Sequence, residues 1–217
     1  MAFQDLVAAA QKRFPDLQIK YKNQSWFMKL LGTLLFFNKG FMTSFTTTIG
    51  STIYFPNETF IKARPISAEV ILLHELVHVK DGQKCTKPLF SFLYLSPQIL
   101  TLLCIPLFLI SWKLAVPLML LFAAPIPSFF RMLFERRAYM ASLYVMAALG
   151  KKMNFDPKLD GQSKFFSQQF KGSFYYFMWP FSGIDKKLNQ AVVDIQAGKR
   201  PFEDPVFDIL DELVTAA

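Results

Sequence analysis

Both histidines of the chain, His74 and His78, fall in the stretch LLHELVHVKDG (residues 72–82), with Glu75 directly after the first. On an α-helix, positions i and i+4 project from the same face, so the two imidazoles can present nitrogens to a single metal ion. Glu75 lies beside them, placed to act on a metal-bound water as a general base without being a ligand itself. Two histidines scattered over 217 residues rarely fall at this spacing with a glutamate between them. The same string also occurs on helices that bind nothing, so the rest of the chain has to supply the remaining parts of a site.

A catalytic zinc site uses three protein ligands and keeps a fourth position open. The chain has no third histidine, which leaves a carboxylate, and Glu135 at the opening of a downstream helix is the best placed acid. Its ordinary alternative is a helix-start carboxylate favoured by the dipole. Cys85, close behind His78, is a further possible ligand, although a lone thiol more often serves packing. Cys85 and Cys104 form no disulfide framework, and Cys104 lies in an apolar run, which fits a reducing or membrane setting.

The elements that must position these residues can be read in order. Residues 3–13 form a short amphipathic helix ended by Pro15, and LQIKY (17–21) alternates like a strand. SWFMKLLGTLLFF (25–37) is too short to span a bilayer and suits an interfacial or a core helix. Around Gly50 a hairpin is expected, with SFTTT and STIYF as strands and Pro56 as its end. Ser67 is a candidate N-cap for the histidine helix, which should run to Asp81-Gly82. Downstream, FERRAYMASLYVMAALG (134–150) and IDKKLNQAVVDIQAG read as helices. Residues 160–184 show no clear periodicity, and RPFEDPVFDILDEL is an acidic, proline-punctuated tail.

Composition points to a membrane. Hydrophobic residues make up 53% and charged residues 18%, with 25 phenylalanines. From Pro88 to Phe130 Lys113 is the only charge, and segments 89–112 and 114–130 read as two membrane-crossing or deeply inserted pieces joined at Trp112-Lys113. Lys80, Lys84 and Lys87 before this hairpin and Arg131, Arg136 and Arg137 after it put both ends on the cytoplasmic side. A pair of core helices, or a hydrophobic arm packed on a partner, is the competing reading. The net charge of +8 is not arranged in the long basic runs that follow a phosphate backbone, so a membrane lipid is expected as partner and nucleic acid is not. The start, MAFQDLVAAAQKRFPDL, lacks the features of a secretory signal, which also leaves the amino terminus on the cytoplasmic side. The resulting division is 1–87, an N-terminal half with strand hairpin and histidine helix; 88–130, the apolar helical hairpin; and 131–217, a helical half with the third ligand.

Taken together, TTTIGSTIYFP, VILLHELVHVKDG, the hydrophobic pair and ERRAYMASLYVMAALG resemble the gluzincin-type membrane zinc metallopeptidases of the CAAX prenyl protease and heat-shock membrane protease type, over residues 44–150. The resemblance implies an α+β fold, a zincin-like core of small sheet and HExxH helix interrupted by the apolar hairpin. It implies one Zn2+ held by His74, His78 and Glu135, with Glu75 as general base and a polypeptide as substrate. Ala138 matches the alanine of the family's E-x-x-A-D motif, whereas Tyr139 stands where the family has an aspartate that orients a ligand histidine. In outline the chain also resembles small HExxH proteins among bacteriophage gene products. Tyr139, Tyr144 and Arg136 are candidate oxyanion donors, and the edge of STIYF is a candidate seat for an extended peptide. The competing function is a structural or membrane-inserting protein, for instance of a virion, that keeps this fold with little or no proteolysis.

Overall fold

In the computed structural model, residues 3–36, 38–124, 126–171 and 183–216 are described. Helix α1 (Phe3–Arg13) buries Phe3, Leu6, Val7 and Ala10, the i, i+3, i+4, i+7 stripe of an amphipathic helix. The chain then enters β1 (Gln18–Tyr21). Helix α2 (Trp26–Leu34) is capped by Ser25, whose hydroxyl accepts from the Met28 amide at 3.3 Å. It buries only Met28 and leaves Trp26, Phe27, Leu30 and Leu34 outward, so of the two roles expected for this segment it does not take the core one.

Strands β2 (Thr47–Ile49) and β3 (Thr52–Phe55) form the expected hairpin, with Gly50 at φ +61° in the left-handed region that only glycine adopts without strain. β2 is shorter than expected because Thr43, Ser44 and Phe45 turn back to the Gly40 carbonyl. The sheet order is β1-β3-β2, with β1 parallel and β2 antiparallel to β3. Thus β3 is the central strand, and STIYF has no free edge; the exposed edge nearer the histidines belongs to β2.

After α3 (Glu58–Ala63), helix α4 (Pro65–Lys84) carries the histidines. It starts at Pro65 rather than after Ser67, because proline at the first helical position has no amide to lose and its φ is already helical. It also runs past Gly82, where the Asp81 carboxylate is held by Arg137. Helix α8 (Phe129–Met153) packs along α4. Glu135 therefore sits in its second turn rather than at its start, which removes the dipole role. Gly150 is not its stop: a side chain there would meet the Phe155 carbonyl at 2.8 Å where the chain folds back past Asn154.

Two apolar clusters flank α8. One joins α1, the sheet, α4 and α11 (Val206–Ala216); the other joins α8 to α9 (Leu159–Lys171) and α10 (Ile184–Gln196). Part of the aperiodic stretch 160–184 is thus helical, and residues 172–182 lie outside those described. The fold is α+β, mostly helical with a small mixed sheet.

The apolar stretch is broken into α5 (Lys87–Leu95), α6 (Leu100–Leu103), a 3-10 turn (Ile105–Leu109) and α7 (Trp112–Ala123). Among the described residues no single helix is long and apolar enough to cross a membrane, and the first two pieces meet at 95°. This differs from the two membrane-crossing or deeply inserted segments expected over 89–112 and 114–130, the second of them short and bent by Pro117, Pro125 and Pro127; Pro117 lies inside α7. Pro97 and Pro106 lack amide protons for a continuous helix, and Phe129 and Phe130 belong to α8 instead.

Candidate metal centre

On α4, the four-residue spacing turns His74 and His78 to the side that meets α8, with Glu75 next to them. On α8, Glu135, Ala138, Tyr139 and Ser142 follow an i, i+3, i+4, i+7 pattern that faces back. Ala138 is fully buried, and its small side chain lets the two helices come close. The His74 Nε2 lies 3.5 Å from Glu135 Oε2, and the His78 Nε2 lies 3.4 Å from Glu135 Oε1. One ligand atom from each of the three residues falls within 4.8 Å of the others.

The tautomer of His74 follows from its neighbours. The Ser142 hydroxyl donates to the Ala138 carbonyl at 2.9 Å, so at its 3.0 Å contact with His74 it accepts from Nδ1–H. That leaves the Nε2 lone pair facing Glu135. Ser142 thus orients the histidine through Nδ1, while the Tyr139 ring packs on His74 at 4.9 Å and on Phe166 at 4.5 Å. Glu75 stands outside the ligand set: its Oε2 accepts from the Thr48 hydroxyl of β2 at 2.6 Å.

On the other side, α5 covers the centre. The Tyr94 hydroxyl donates to Glu135 Oε1, and the Tyr94 and Phe90 rings pack 5.8 and 6.1 Å from the His78 ring. Both ring nitrogens of His78 and the Oε2 of Glu135 are buried without hydrogen-bond partners among the described residues. Such groups are costly unless something satisfies them, and a cation between them would do so. Two imidazole nitrogens and one carboxylate are a donor set that suits zinc.

Electrostatics follow the burial. Burial pushes the Glu135 carboxyl up, yet the adjacent imidazoles of His78 and His74 outweigh it and hold it well below the usual carboxylate range. Burial lowers His78, but Glu135, Glu75 and Asp81 together raise it above its ordinary value. Asp81 is pushed up by burial and partly restored by Arg137, which also donates to Asp204 at 3.0 Å and so ties α4, α8 and the segment before α11 together.

A cleft of about 890 Å3 opens beside the centre. Its floor includes His74, Glu75, Tyr139 and Ser142, one wall holds Phe45 and Thr46 next to β2, and the other holds Phe165 and Phe166 of α9. All four residues expected in the site, His74, Glu75, His78 and Glu135, are therefore together. Cys85 is not: its thiol donates to the Asp81 carbonyl, outside the cluster. Of the three candidate oxyanion donors only Tyr139 lines the cleft, and Tyr144 instead donates to Asp211 on α11 at 2.7 Å. Thr48, Tyr94 and Ser142 were not among the residues expected there. Ser142 could have been found as the residue one face-repeat (i+7) beyond Glu135.

No protein-family profile matches the chain, and comparison with curated proteins and with solved structures finds no match.

Proposed function

We propose that the chain is a zinc-dependent metalloendopeptidase with a zincin-like, gluzincin-type core, working at a membrane. The observation that carries this reading is the convergence of His74 Nε2, His78 Nε2 and the Glu135 carboxylate, with Glu75 adjacent and outside the set. His74, His78 and Glu135 would hold the ion, and the two helices that bear them leave the cleft side open for substrate. A metal held there would supply Lewis acidity for a carbonyl and a water molecule.

The chain's own residues carry the rest. Thr48 holds Glu75 through Oε2, which leaves its second oxygen to take a proton from water and pass it to the departing amine. Ser142 fixes His74 with Nε2 toward the metal. The free edge of β2 (Thr47–Ile49) offers backbone groups to an extended peptide beside Glu75. The Phe45 and Phe165–Phe166 walls suit apolar side chains.

The test is metal analysis and peptide cleavage with Glu75→Gln and Glu135→Ala beside the wild type. One zinc per chain, lost in Glu135→Ala, and cleavage abolished in Glu75→Gln with zinc retained would support the enzyme. A wild type without zinc that cleaves nothing in a peptide library would overturn it.

A second reading, a structural or membrane-inserting protein such as a virion component, is favoured by one observation. Helices α5 and α6 bury none of their residues, and α7 buries only Ala115. It differs from the first in requiring no zinc.

A further inference from the structure

The apolar arm from Lys87 to Ala123 has two sides with different surroundings. On α5, Phe90 and Tyr94 are one helical turn apart and face the metal centre, while Leu89, Phe92 and Leu95 project from the opposite side and are exposed. The inner side is fastened to α8: Arg131 Nε donates to the Tyr94 carbonyl at 2.9 Å, and the Ser128 hydroxyl donates to the Ser96 carbonyl. Gln98 Nε2 donates to the Ile126 carbonyl at 3.0 Å. Further out α6 and the 3-10 turn pack on α7 and bury Cys104 and Ala115, while the remaining faces of the arm stay exposed. Leu109 is 92% and Ile110 78% exposed at its turn.

The pattern of exposure selects the occupant. At about 100° per residue, exposed Trp112, Val116 and Leu120 fall on one side of α7, and exposed Leu114 and Leu121 on the opposite side. A protein groove covers one face of a helix; a lipid phase surrounds it, which is what a helix apolar on opposing faces requires. Charge selects the lipid. From Gly82 to Phe134 there is no acidic residue, Lys113 stands exposed beside Trp112, and the chain carries +8 overall. Trp and Lys side by side suit the headgroup level, and the absence of acids suits an anionic one.

We propose that the arm is a lipid-seated wall of the metal centre: its outer side sits in an anionic membrane surface, and that seating holds Phe90 and Tyr94 over His78 and Glu135. The inference rests on the metal reading above. Because the same helix bears both sides, lipid and metal each favour the docked arm and must strengthen each other's binding reciprocally. Tyr94 is a positioning residue here, acting on Glu135.

The experiment uses the full purified chain, floated with vesicles of phosphatidylcholine alone or mixed three to one with phosphatidylglycerol, at about that ratio of lipids. Zinc affinity is measured by chelator competition with and without each vesicle. Wild type is expected to float with the mixed vesicles only, and to bind zinc about fivefold or more tightly on them. Leu109→Ser with Ile110→Ser, checked for unchanged far-UV circular dichroism, should lose flotation and the gain while keeping the lipid-free zinc affinity. Tyr94→Phe should float and lose the gain.

Absence of flotation, equal flotation with neutral vesicles, or a protein dimer that buries Leu109 and Ile110 would overturn the anionic lipid seat. Zinc affinity indifferent to lipid would overturn the wall while leaving the metal reading intact. Flotation with no zinc uptake in any condition would instead mark failure of the metal reading, and the coupling with it.

Discussion

Helix α4 and the arm α5–α7 are neighbours in a chain that is apolar along both, yet they end in opposite environments. In α4, Leu72, Leu73, Leu76 and Val77 are at most 1% exposed, and Glu75, His78 and Asp81 are buried among them. In α7 only Ala115 is buried. The difference is partnership: α4 has α8 along its length, and three of its buried polar or charged groups have a group to answer them, Thr48 for Glu75, Glu135 for His78 and Arg137 for Asp81. Among the described residues the arm has such partners at its root, through Lys87, Phe90, Tyr94, Ser96 and Gln98. Apolar sequence creates a demand for burial, and packing against the rest of the chain meets it for α4 alone.

The largest expected effect separates the two regions by stability. Leu76→Ala should cost about 3 kcal/mol in denaturant unfolding, through lost burial plus a cavity. Leu109→Ser should stay within about 0.5 kcal/mol without lipid. Equal losses at both positions would break the comparison. Next, Ser142→Ala should weaken zinc binding by about 10- to 100-fold, as removal of a group that orients a ligand histidine does; chelator competition reads it, and an unchanged affinity would remove Ser142 from the site.

Lys22 gives a smaller effect with a definite sign. It is fully buried, donates to the Phe41 carbonyl at 2.7 Å, and is lowered by burial to about 7 despite the opposing pull of Glu75. Its folded value lies below its unfolded value, so between about pH 7 and 10.5 the unfolded chain holds more protons and stability rises with pH. Lys22→Met should flatten that rise, measured as unfolding free energy against pH; an unaltered slope would contradict the buried, neutral-leaning lysine. The smallest is Thr48→Ala, which should slow peptide cleavage about fivefold by loosening Glu75, with zinc content unchanged.

How much of this was legible in the sequence depends on the range of the interaction. The helix of His74 and His78 and the hairpin turn at Gly50 are local, set by a 3.6-residue period and one positive φ, and both were readable. Eliminating a third histidine made only a carboxylate readable; Glu135 was singled out for opening a helix, and it does meet both histidines, but from the second turn of α8 rather than its start. The parallel pairing of β1 with β3 was not, since it joins residues more than 30 positions apart, and it is what moved the free edge from β3 to β2. Nor was Tyr94, a lone hydroxyl in an apolar run whose role depends on how α5 folds against α8. The breaks at Pro97 and Pro106 were visible as residues, but bends were expected only in the second segment, at Pro117, Pro125 and Pro127, and the apolar run before Lys113 read as one piece.

The measurement that most directly tests the central claim is zinc stoichiometry of purified wild type, Glu135→Ala and Glu75→Gln, paired with peptide cleavage by the same preparations. The account expects one zinc in the wild type, none in Glu135→Ala, and one in Glu75→Gln with cleavage reduced by about a thousandfold or more. Zinc retained in Glu135→Ala, or full cleavage by Glu75→Gln, would contradict it.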